Sequence, residues 1–356
     1  MTPRVESLEL ATVRGAVAPL AGAASGQTVR AGLLLRVLDA RGGGGIGEAS
    51  PLPGYSPDTI DDCRRELAAI DPRALPAADD VDTLGWLERA VGASRVVAPA
   101  ARFALETALL DWLGRARGVP LASLLGGPEA SRRRVELSAL VADVAGARAA
   151  YARGVRAFKL KVSEASFDAD VELAAALRDA YGDGIRLRFD ANRRFDRARA
   201  ARRLESLARF APEFVEEPVP TADLLAMGRA PVPLAADESL AVARAWPALA
   251  ARCRVVVLKP TLLGGFGACL RIAREAAARG LAATVTHTFD GPLALAAAAE
   301  LACALPALVL ACGLDPHAGL DAWPRVAIPQ IGAAHALSSG LPGLGPVADA
   351  LARSAG

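Results

Sequence analysis

The sequence has few of the features that direct a protein out of the cell or into a membrane. Its five cysteines are odd in number, scattered, and nowhere spaced as Cys-x-x-Cys, so we expect reduced thiols rather than disulfides or a zinc site. The N-terminal stretch MTPRVESLELATVRG has no apolar core of signal-peptide length, and the most apolar region, residues 293–314, is interrupted by Glu300 and Pro306. We therefore expect a cytoplasmic protein without a leader or a membrane span.

An excess of charge of one sign is also missing. The 41 basic residues are interspersed with 39 acidic ones, the net charge is +2, and the longest basic run is Arg132–Arg134. This balance disfavours a nucleic-acid partner. With 356 residues, of which 53% are hydrophobic and 22% charged, the chain is long enough to bury a large core in two structural units.

Lysine is scarce, and its positions are informative. The chain has three lysines, Lys159, Lys161 and Lys259, so 38 of its 41 basic residues are arginine. A genome that favours arginine explains the scarcity, but not why two lysines share the stretch FKLKV and the third lies in VVVLKP. Arginine stays protonated, whereas a lysine in a dry or cationic setting can lose its proton and act as a base. The pattern indicates proton chemistry.

A repeating pattern begins near residue 133. Short apolar or β-branched runs alternate with long alanine-rich stretches of helical period, and successive runs begin 20 to 29 residues apart. The eight runs are 135–142, 157–162, 186–192, 213–218, 233–239, 254–260, 282–288 and 307–313. Eight parallel βα units predict an α/β fold closed as a (β/α)8-type TIM barrel. An open, doubly wound sheet is the alternative, but no glycine-rich dinucleotide motif follows any run.

The first ninety-odd residues have a different organisation. Residues 4–50 contain two strand-like stretches, LELATVRG and VRAGLLLRVLDARG, and the glycine run Gly42–Gly45. No Lys-Ser or Lys-Thr follows that run, so we interpret it as a mobile hairpin turn rather than a phosphate-binding loop. Helices are predicted at about 57–70, 80–92 and 98–116. Residues 1–95 are thus expected to form a separate α+β domain before a barrel domain of residues 96–323.

Charged residues gather at the C-terminal ends of the predicted barrel strands, where barrel enzymes carry their chemistry. Strands two to six end in Lys159 and Lys161, Asp190 and Asn192, Glu216 and Glu217, Asp237 and Glu238, and Lys259. A single acid there is commonly a helix cap or a salt-bridge partner, and we interpret Glu217 and Glu238 in that way. Matched charges on five consecutive strands are harder to explain by capping alone.

The three remaining carboxylates, on three successive strands, have the chemistry that a hard divalent cation prefers. Mg²⁺ binds oxygen ligands octahedrally and keeps positions open for water or substrate. Such a cation could hold a substrate carboxylate while a neutral lysine removes the proton from the adjacent carbon and the cation stabilises the enediolate. A second lysine nearby lowers the basicity of the pair. The expected partner is a small-molecule carboxylate.

The motifs KLK, DAN, EEP, DES and LKP, in this order after the stretch ALETALLDWLGRARGVPLASLLG (104–126), resemble the enolase superfamily and, within it, the muconate-lactonizing enzyme subgroup. The resemblance covers nearly the whole chain. It implies a modified (β/α)7β barrel with an N-terminal capping domain that the tail 324–356 completes. It also implies Mg²⁺, with Mn²⁺ as a substitute. The residues that it implies are the metal ligands Asp190, Glu216 and Asp237, and the catalytic Lys161 and Lys259 on opposite faces of the substrate, with Lys159 beside them.

Two further stretches, GEASPLPGYSPDT (47–59) and ACGLDP (311–316), are similar to those of o-succinylbenzoate synthases. This similarity implies the dehydration of 2-succinyl-6-hydroxy-2,4-cyclohexadiene-1-carboxylate to 2-succinylbenzoate, a step of menaquinone biosynthesis. Lys161 would be the base and Lys259 a permanent ammonium. Arg188 could bind the succinyl carboxylate, although an ion pair in the barrel floor explains it equally well. The other candidate substrate contacts are Asn192, Thr286 and Gly313.

Other activities stay open at this point. An N-acylamino acid racemase, a dipeptide epimerase or a muconate-type cycloisomerase of the same superfamily would use the same opposed lysines. Dipeptide epimerases typically have Asp-x-Asp on strand eight, whereas here Asp315 stands alone. Outside the superfamily, Lys259 could be the Schiff-base lysine of an aldolase. A non-catalytic binding protein is disfavoured because arginine would have served structure as well as lysine.

The sequence leaves a few features unassigned. Strand seven ends in THTFDGP instead of the Ser-rich, Glu-containing segment of many subgroup members, so His287 and Asp290 have no assigned role; we expect His287 to be a buried structural histidine. His317 and His335 show no metal-ligand spacing. The residues between about Val17 and Thr28 that would close over a ligand cannot be named, and a homo-oligomer is left open.

Overall fold

The computed structural model describes residues 4–19, 28–78, 82–242 and 246–354. Most of the predicted ligand-covering loop, residues 20–27, therefore lies outside the described part of the chain. The N-terminal region begins with an antiparallel sheet of β1 (Val5–Ala16), β2 (Val29–Asp39) and β3 (Gly44–Ala49), in that spatial order. Thirteen α-helical segments follow along the described residues. They are α1 (Ile60–Ala68), α2 (Thr83–Ser94), α3 (Pro99–Arg117), α4 (Leu121–Gly126), α5 (Val144–Ala152), α6 (Phe167–Tyr181), α7 (Ala200–Ala208), α8 (Thr221–Ala226), α9 (Trp246–Arg252), α10 (Pro260–Leu263), α11 (Phe266–Ala278), α12 (Pro292–Ala304) and α13 (Pro346–Ser354).

The glycine run at residues 42–45 has two roles, only one of which was predicted. Gly42, with φ of 78°, forms the turn between β2 and β3. Gly45 lies within β3, and a Cβ there would stand 2.2 Å from the carbonyl oxygen of Ala108; at Gly47 it would stand 1.9 Å from that of Ala104. Glycine is needed at both positions because β3 packs directly on the backbone of α3. The interpretation of the whole run as a mobile turn was therefore wrong for its second half.

The barrel is built on a seven-stranded parallel sheet that matches the predicted order. The strands are β5 (Ser138–Leu140), β6 (Ala157–Lys161), β7 (Arg186–Asp190), β8 (Phe214–Glu216), β9 (Leu234–Ala236), β10 (Val255–Leu258) and β11 (Ala282–Val285), and each pairs with the next. A helix follows every strand. The predicted α/β barrel fold with a separate N-terminal antiparallel sheet is thus confirmed.

The eighth predicted strand, residues 307–313, is irregular. Its bridges to the sheet are isolated, but it pairs with both edges: the Leu310 N–H donates to the Ala283 carbonyl (2.8 Å) and the Ser138 N–H donates to the Cys312 carbonyl (2.8 Å). This segment closes the barrel without a continuous ladder, giving a (β/α)7β arrangement. The first predicted strand is also shorter than expected, because residues 134–136 leave the barrel as β4 (Arg134–Glu136) and pair with β12 (His335–Leu337).

The C-terminal tail contacts both parts of the molecule. Strand β12 extends the barrel side through β4, whereas α13 contacts β3 of the N-terminal sheet. The tail is also joined to α3, where the Leu344 N–H donates to Asp111 (2.7 Å) and Arg115 pairs with Asp349 on α13 (2.7 Å). The domain limits at residues 95 and 323 stay a prediction.

Helix α12 explains why residues 293–314 are the most apolar stretch of the sequence. Every residue from Pro292 to Ala304 is buried, because α12 lies between the barrel, the N-terminal sheet and α4. Its one acid, Glu300, accepts hydrogen bonds from Ser338 Oγ (2.8 Å), the Ser339 N–H (2.9 Å) and the Ala122 N–H (3.0 Å). Among the described residues, no helix combines the length and the apolar character needed to cross a bilayer.

Candidate active site

The strand register places the predicted lysines and carboxylates in one row at the C-terminal rim. Lys161 on β6 is opposite Asp190 on β7, and Asp190 is opposite Glu216 on β8. Lys159 lies two residues before Lys161 and so projects from the same face of the strand. The Nζ atom of Lys159 is 2.7 Å from Asp190 Oδ2 and 2.8 Å from Glu216 Oε2. Parallel pairing without a register shift therefore brings these four side chains together.

Lys161 has fewer anionic neighbours than Lys159. Its Nζ atom contacts Asp190 Oδ2 at 2.6 Å and the amide oxygen of Asn192 at 2.6 Å. Burial lowers the pKa of Lys161, and the charge of Lys159 lowers it further, against the attraction of Asp190. In contrast, Asp190 and Glu216 together outweigh burial at Lys159 and raise its pKa. Of the two lysines on β6, Lys161 is the one that gives up a proton more readily.

Lys259 lies across the row, where β10 ends and α10 begins. Its Nζ atom contacts the carboxylate of Asp237 and the Tyr55 hydroxyl, the latter at 2.5 Å. The pKa of Lys259 lies well above its ordinary value, because the charge of Asp237 outweighs the effect of burial. Lys259 is therefore an ammonium. Tyr55 comes from the loop between β3 and α1, so the N-terminal region supplies part of the site; our reading of the sequence did not identify this residue.

Glu217 and Glu238, the two acids that we interpreted as helix caps or salt-bridge partners, differ in their contacts. Glu217, with φ of 41°, accepts hydrogen bonds from the N–H groups of Asp237 (2.8 Å) and Ser239 (2.9 Å) and from Ser239 Oγ (2.7 Å). It thus caps the short turn that carries Asp237. Glu238 instead points into the site, where its Oε1 accepts from Asn192 Nδ2 at 3.1 Å.

Whether the predicted ligands suit a divalent cation can be tested from their donor atoms. Within the described ranges, no group of three or more His, Cys, Asp or Glu side chains lies close enough together to hold a metal ion. Asp190, Glu216 and Asp237 each contact a lysine instead. All three are nevertheless buried oxygen donors, and Asp237 Oδ1 and Glu238 Oε2 are buried without a hydrogen-bond partner among the residues that the structure describes. Buried, unsatisfied carboxylate oxygens are costly unless a cation or donor meets them. This donor set fits a hard cation such as Mg²⁺.

A cavity of about 320 Å³ opens above this cluster. Its lining includes the lysines, Asn192 and Tyr55. It also includes the loop after β11 and the segment after residue 312, with His287, Phe289, Gly313 and His317. Of the predicted substrate contacts, Asn192, Thr286 and Gly313 all line the cavity.

Arg188 is placed elsewhere. It is buried below the cavity, where Nε donates to Glu213 Oε2 (2.5 Å) and Nη1 to the Ala311 carbonyl (2.6 Å). Glu213 precedes β8, at the opposite end of the barrel from the lysines. The geometry corresponds to the ion pair in the barrel floor, and Arg188 is not among the residues that line the cavity.

His287 and His317 form a ring cluster that the sequence did not indicate. Their ring centroids are 4.0 Å apart, and Phe289 lies edge-on to both. The expectation of a buried structural histidine describes only part of His287: its Nδ1 accepts from the Phe289 N–H (3.0 Å), but its ring also lines the cavity. No spacing in the sequence relates these two residues, because they lie on separate connecting segments.

Comparison with known proteins places this geometry in a family. Residues 142–350 match the family model described as enolase C-terminal domain-like. The o-succinylbenzoate synthase of Thermobifida fusca (strain YX) is 41% identical over 204 residues, which cover 54% of this chain and 63% of that protein. The o-succinylbenzoate synthase of Desulfotalea psychrophila (strain LSv54 / DSM 12343) is 32% identical over 310 residues, which cover 74% and 80% respectively.

A solved structure agrees over almost the full length. The dipeptide epimerase from Methylococcus capsulatus, complexed with Mg and the dipeptide L-Arg-D-Lys, superimposes with a TM-score of 0.81 at 27% sequence identity. The match covers 96% of this chain and 99% of that one. Similarity thus extends to proteins with more than one activity.

Proposed function

Since the chain belongs to the enolase C-terminal domain-like family and is an enzyme of the enolase superfamily, we propose that it dehydrates 2-succinyl-6-hydroxy-2,4-cyclohexadiene-1-carboxylate to 2-succinylbenzoate. This makes it a carbon–oxygen lyase acting in menaquinone biosynthesis. The observation that carries the proposal is the position of Lys161 and Lys259, which line one cavity from either side of a row of buried carboxylates.

Lys161 is the general base and then the general acid. As a neutral amine it takes the proton from the ring carbon that bears the carboxylate. It then returns this proton to the hydroxyl on the adjacent carbon, which leaves as water while a double bond forms between the two carbons. The ring becomes aromatic, so the elimination is strongly downhill and Lys161 ends as it began. The lowered pKa of Lys161 suits this role, because a base must be neutral at working pH.

Lys259 contributes positive charge rather than proton transfer. As an ammonium held by Asp237 and Tyr55, it stabilises the negative charge that develops on the substrate. Mg²⁺, with Mn²⁺ as a substitute, would be held by Asp190, Glu216 and Asp237 and would neutralise the ring carboxylate, making the neighbouring proton more acidic. Lys159, which contacts two of these acids, positions them and depresses the basicity of Lys161.

A dipeptide epimerase is the second candidate, supported by the similarity in structure and by the opposed lysines. It would need a free acid near strand eight to bind the substrate ammonium. Asp315 is the available acid, but both of its oxygens accept from Arg153, at 2.7 and 2.6 Å. This bidentate pair disfavours the epimerase and leaves N-acylamino acid racemisation, which needs no ammonium site, and muconate-type cycloisomerisation as the competing reactions.

The aldolase alternative is disfavoured by the surroundings of Lys259. A Schiff-base lysine must be a neutral nucleophile, whereas Lys259 contacts a buried carboxylate and has a raised pKa. Borohydride in the presence of a carbonyl substrate should therefore trap no adduct.

The decisive experiment follows the absorbance of the substrate as it is converted to the aromatic product, with Mg²⁺ and then with excess EDTA. We expect rapid conversion that EDTA abolishes and that added Mg²⁺ or Mn²⁺ restores. Absence of conversion in protein shown by calorimetry to bind Mg²⁺ would refute the dehydratase proposal and favour the racemase or the cycloisomerase. Conversion that continues at full rate in EDTA would refute the metal role.

We further propose a cytoplasmic enzyme whose partner is this small-molecule carboxylate, with neither nucleic acid nor a membrane involved; a homo-oligomer is left open. All five cysteines are buried free thiols, which accords with a reducing compartment.

A further inference from the structure

The cavity has a wall that the proposed chemistry does not use. His287, Phe289 and His317 form it, with centroid distances of 4.0 Å between the two histidines and 5.4 Å between Phe289 and His317. All three residues line the same cavity as the lysines. The two histidine rings are tilted by 34° to each other and Phe289 lies edge-on to both, so the three rings pack together as one wall.

His317 has polar atoms that lack a partner among the described residues. Both of its ring nitrogens are buried, and within that part of the chain neither makes a hydrogen bond. Burial, together with the nearby charge of Arg30, keeps the pKa of His317 well below its usual range. The imidazole is therefore neutral and presents one N–H donor and one acceptor. An unsatisfied buried donor is costly, so such a group in a cavity wall requires a partner such as water or a ligand.

The polar neighbours of His317 are already engaged elsewhere. Arg30 donates to the carbonyls of Phe289 (3.1 Å), Pro51 (2.9 Å) and Ser50 (2.8 Å). Asp315 is held by Arg153. Within the part of the chain that the structure describes, His317 thus lines the cavity with no hydrogen-bond partner at either ring nitrogen.

The cavity relates this wall to the reacting centre. The lysines, His287 and His317 line one cavity, in which the two histidine rings are in contact at a centroid distance of 4.0 Å. A substrate whose ring carboxylate lies among the acids and lysines would therefore have its side chain in the same cavity as His317.

We propose that His317 is a specificity residue that donates a hydrogen bond to an oxygen of the succinyl side chain, at its ketone or its terminal carboxylate. This inference rests on the proposed function, which supplies the side chain. His317 takes no part in proton transfer at the substrate ring. It discriminates against ring carboxylates that lack an acyl oxygen within hydrogen-bonding reach of its imidazole.

The first test compares the binding of two ligands by calorimetry in Mg²⁺. 2-Succinylbenzoate carries the side chain, whereas benzoate does not. His317→Phe keeps an aromatic ring against His287 but removes the hydrogen-bond donor. We expect it to weaken the binding of 2-succinylbenzoate about tenfold while leaving the binding of benzoate unchanged. His317→Gln, which keeps a donor, should recover part of the affinity. The control is His335→Gln, on β12 and away from the cavity lining, which should change neither.

The outcomes separate the two proposals. Equal weakening of both ligands by His317→Phe, or no weakening of either, overturns the role of His317 while leaving the dehydratase intact. A wild-type protein that binds Mg²⁺ but not 2-succinylbenzoate overturns the proposed function and, with it, this inference. 2-Butanoylbenzoate, which keeps the ketone and lacks the terminal carboxylate, identifies the oxygen that accepts the hydrogen bond. If His317→Phe weakens the binding of this ligand, the acceptor is the ketone; if its binding is unchanged, the acceptor is the terminal carboxylate.

A second readout observes His317 directly. The chain has three histidines, so ¹⁵N-histidine labelling yields resonances from six ring nitrogens. Substituting one histidine at a time assigns each resonance to its residue. 2-Succinylbenzoate should shift the protonated nitrogen of His317, whereas benzoate should not. Resonances of His317 that stay unmoved at saturating 2-succinylbenzoate would contradict the hydrogen bond, whatever the turnover of the enzyme.

Discussion

Each of the three lysines has a different set of neighbours. Lys159 contacts two carboxylates, Lys161 a carboxylate and an amide oxygen, and Lys259 a carboxylate and a phenol. These contacts explain why the pKa of Lys161 is lowered while those of the other two are raised. The same side chain thus serves as a base at one position and as a fixed positive charge at another.

Replacing the base should remove turnover and little else. In Lys161→Arg the guanidinium still pairs with Asp190 but cannot accept a proton, so we expect kcat to fall by roughly 10³-fold or more. Circular dichroism and Mg²⁺ calorimetry should show an unchanged fold and metal affinity. Near-native activity would remove Lys161 from the role of base.

Lys259→Arg distinguishes dehydration from racemisation. Dehydration needs only a cation at this position, so we expect kcat to fall by roughly ten- to a hundredfold, far less than in Lys161→Arg. A racemase would lose all activity because its second base is gone. The check is the product absorbance for dehydration and optical rotation for an N-acylamino acid, measured on the same preparation.

At the scale of elements, buried acids connect one segment to the start of another. Glu217 holds the turn that carries Asp237. Glu106 on α3 accepts a hydrogen bond from the Gly267 N–H (3.0 Å) at the first turn of α11. Carboxylates suit helix N-termini because the backbone N–H groups there lack intrahelical partners.

Glu106 should make stability depend on pH. Burial raises its pKa to about 7, so the folded protein keeps this proton between about pH 4.5 and 7, where the unfolded chain has lost it. The free energy of unfolding therefore falls as the pH rises through this window. Glu106→Gln cannot ionise and should be more stable than wild type by about 3 kcal/mol at pH 8, with little difference at pH 5.

Urea unfolding at the two pH values measures this effect. The control is Glu129→Gln, whose wild-type side chain is 76% exposed and whose removal should leave the pH profile unchanged. A Glu106→Gln variant with the same loss of stability from pH 5 to pH 8 as wild type would contradict the assignment.

Some elements of the fold could be predicted from the sequence, and others could not. The order of the strands and the charged residues at their ends follow from periodicity and charge, and the structure has Lys161, Asp190 and Glu216 at the ends of neighbouring strands as predicted. The roles of these residues stay a prediction. The short strand β4 and the irregular segment 307–313 depend on pairing partners far along the chain, such as β12. Tyr55 and His317 were missed for the same reason, since loops carry no period that relates them to the strands.

At the scale of the whole molecule, Glu48 joins the N-terminal sheet to the barrel. Its carboxylate, on β3, accepts from the N–H groups of Gly291 (2.6 Å), Leu293 (3.2 Å) and Ala294 (3.2 Å) at the start of α12. The residue is fully buried, so its removal takes a buried acceptor away from these N–H groups.

Glu48→Ala should therefore destabilise the protein by roughly 2–4 kcal/mol, because it leaves buried donors unsatisfied. It should also lower activity, since Gly291 closes the loop that carries His287 and Phe289. Thermal unfolding and the dehydration assay measure the two effects. Glu136→Ala, which removes a half-exposed partner of Arg186, is the control; equal melting temperatures for both variants would contradict the docking role of Glu48.

The lining of the cavity has a consequence for how such an enzyme can change in evolution. The lysines and acids stand on or beside barrel strands, whereas Leu52, Phe289 and His317 stand on connecting segments. Loops accept substitutions and insertions more readily than the strands they join. Selection could thus retarget this barrel to a new carboxylate by altering the loops alone, and a lineage could pass through bifunctional ancestors without ever losing its proton-transfer apparatus.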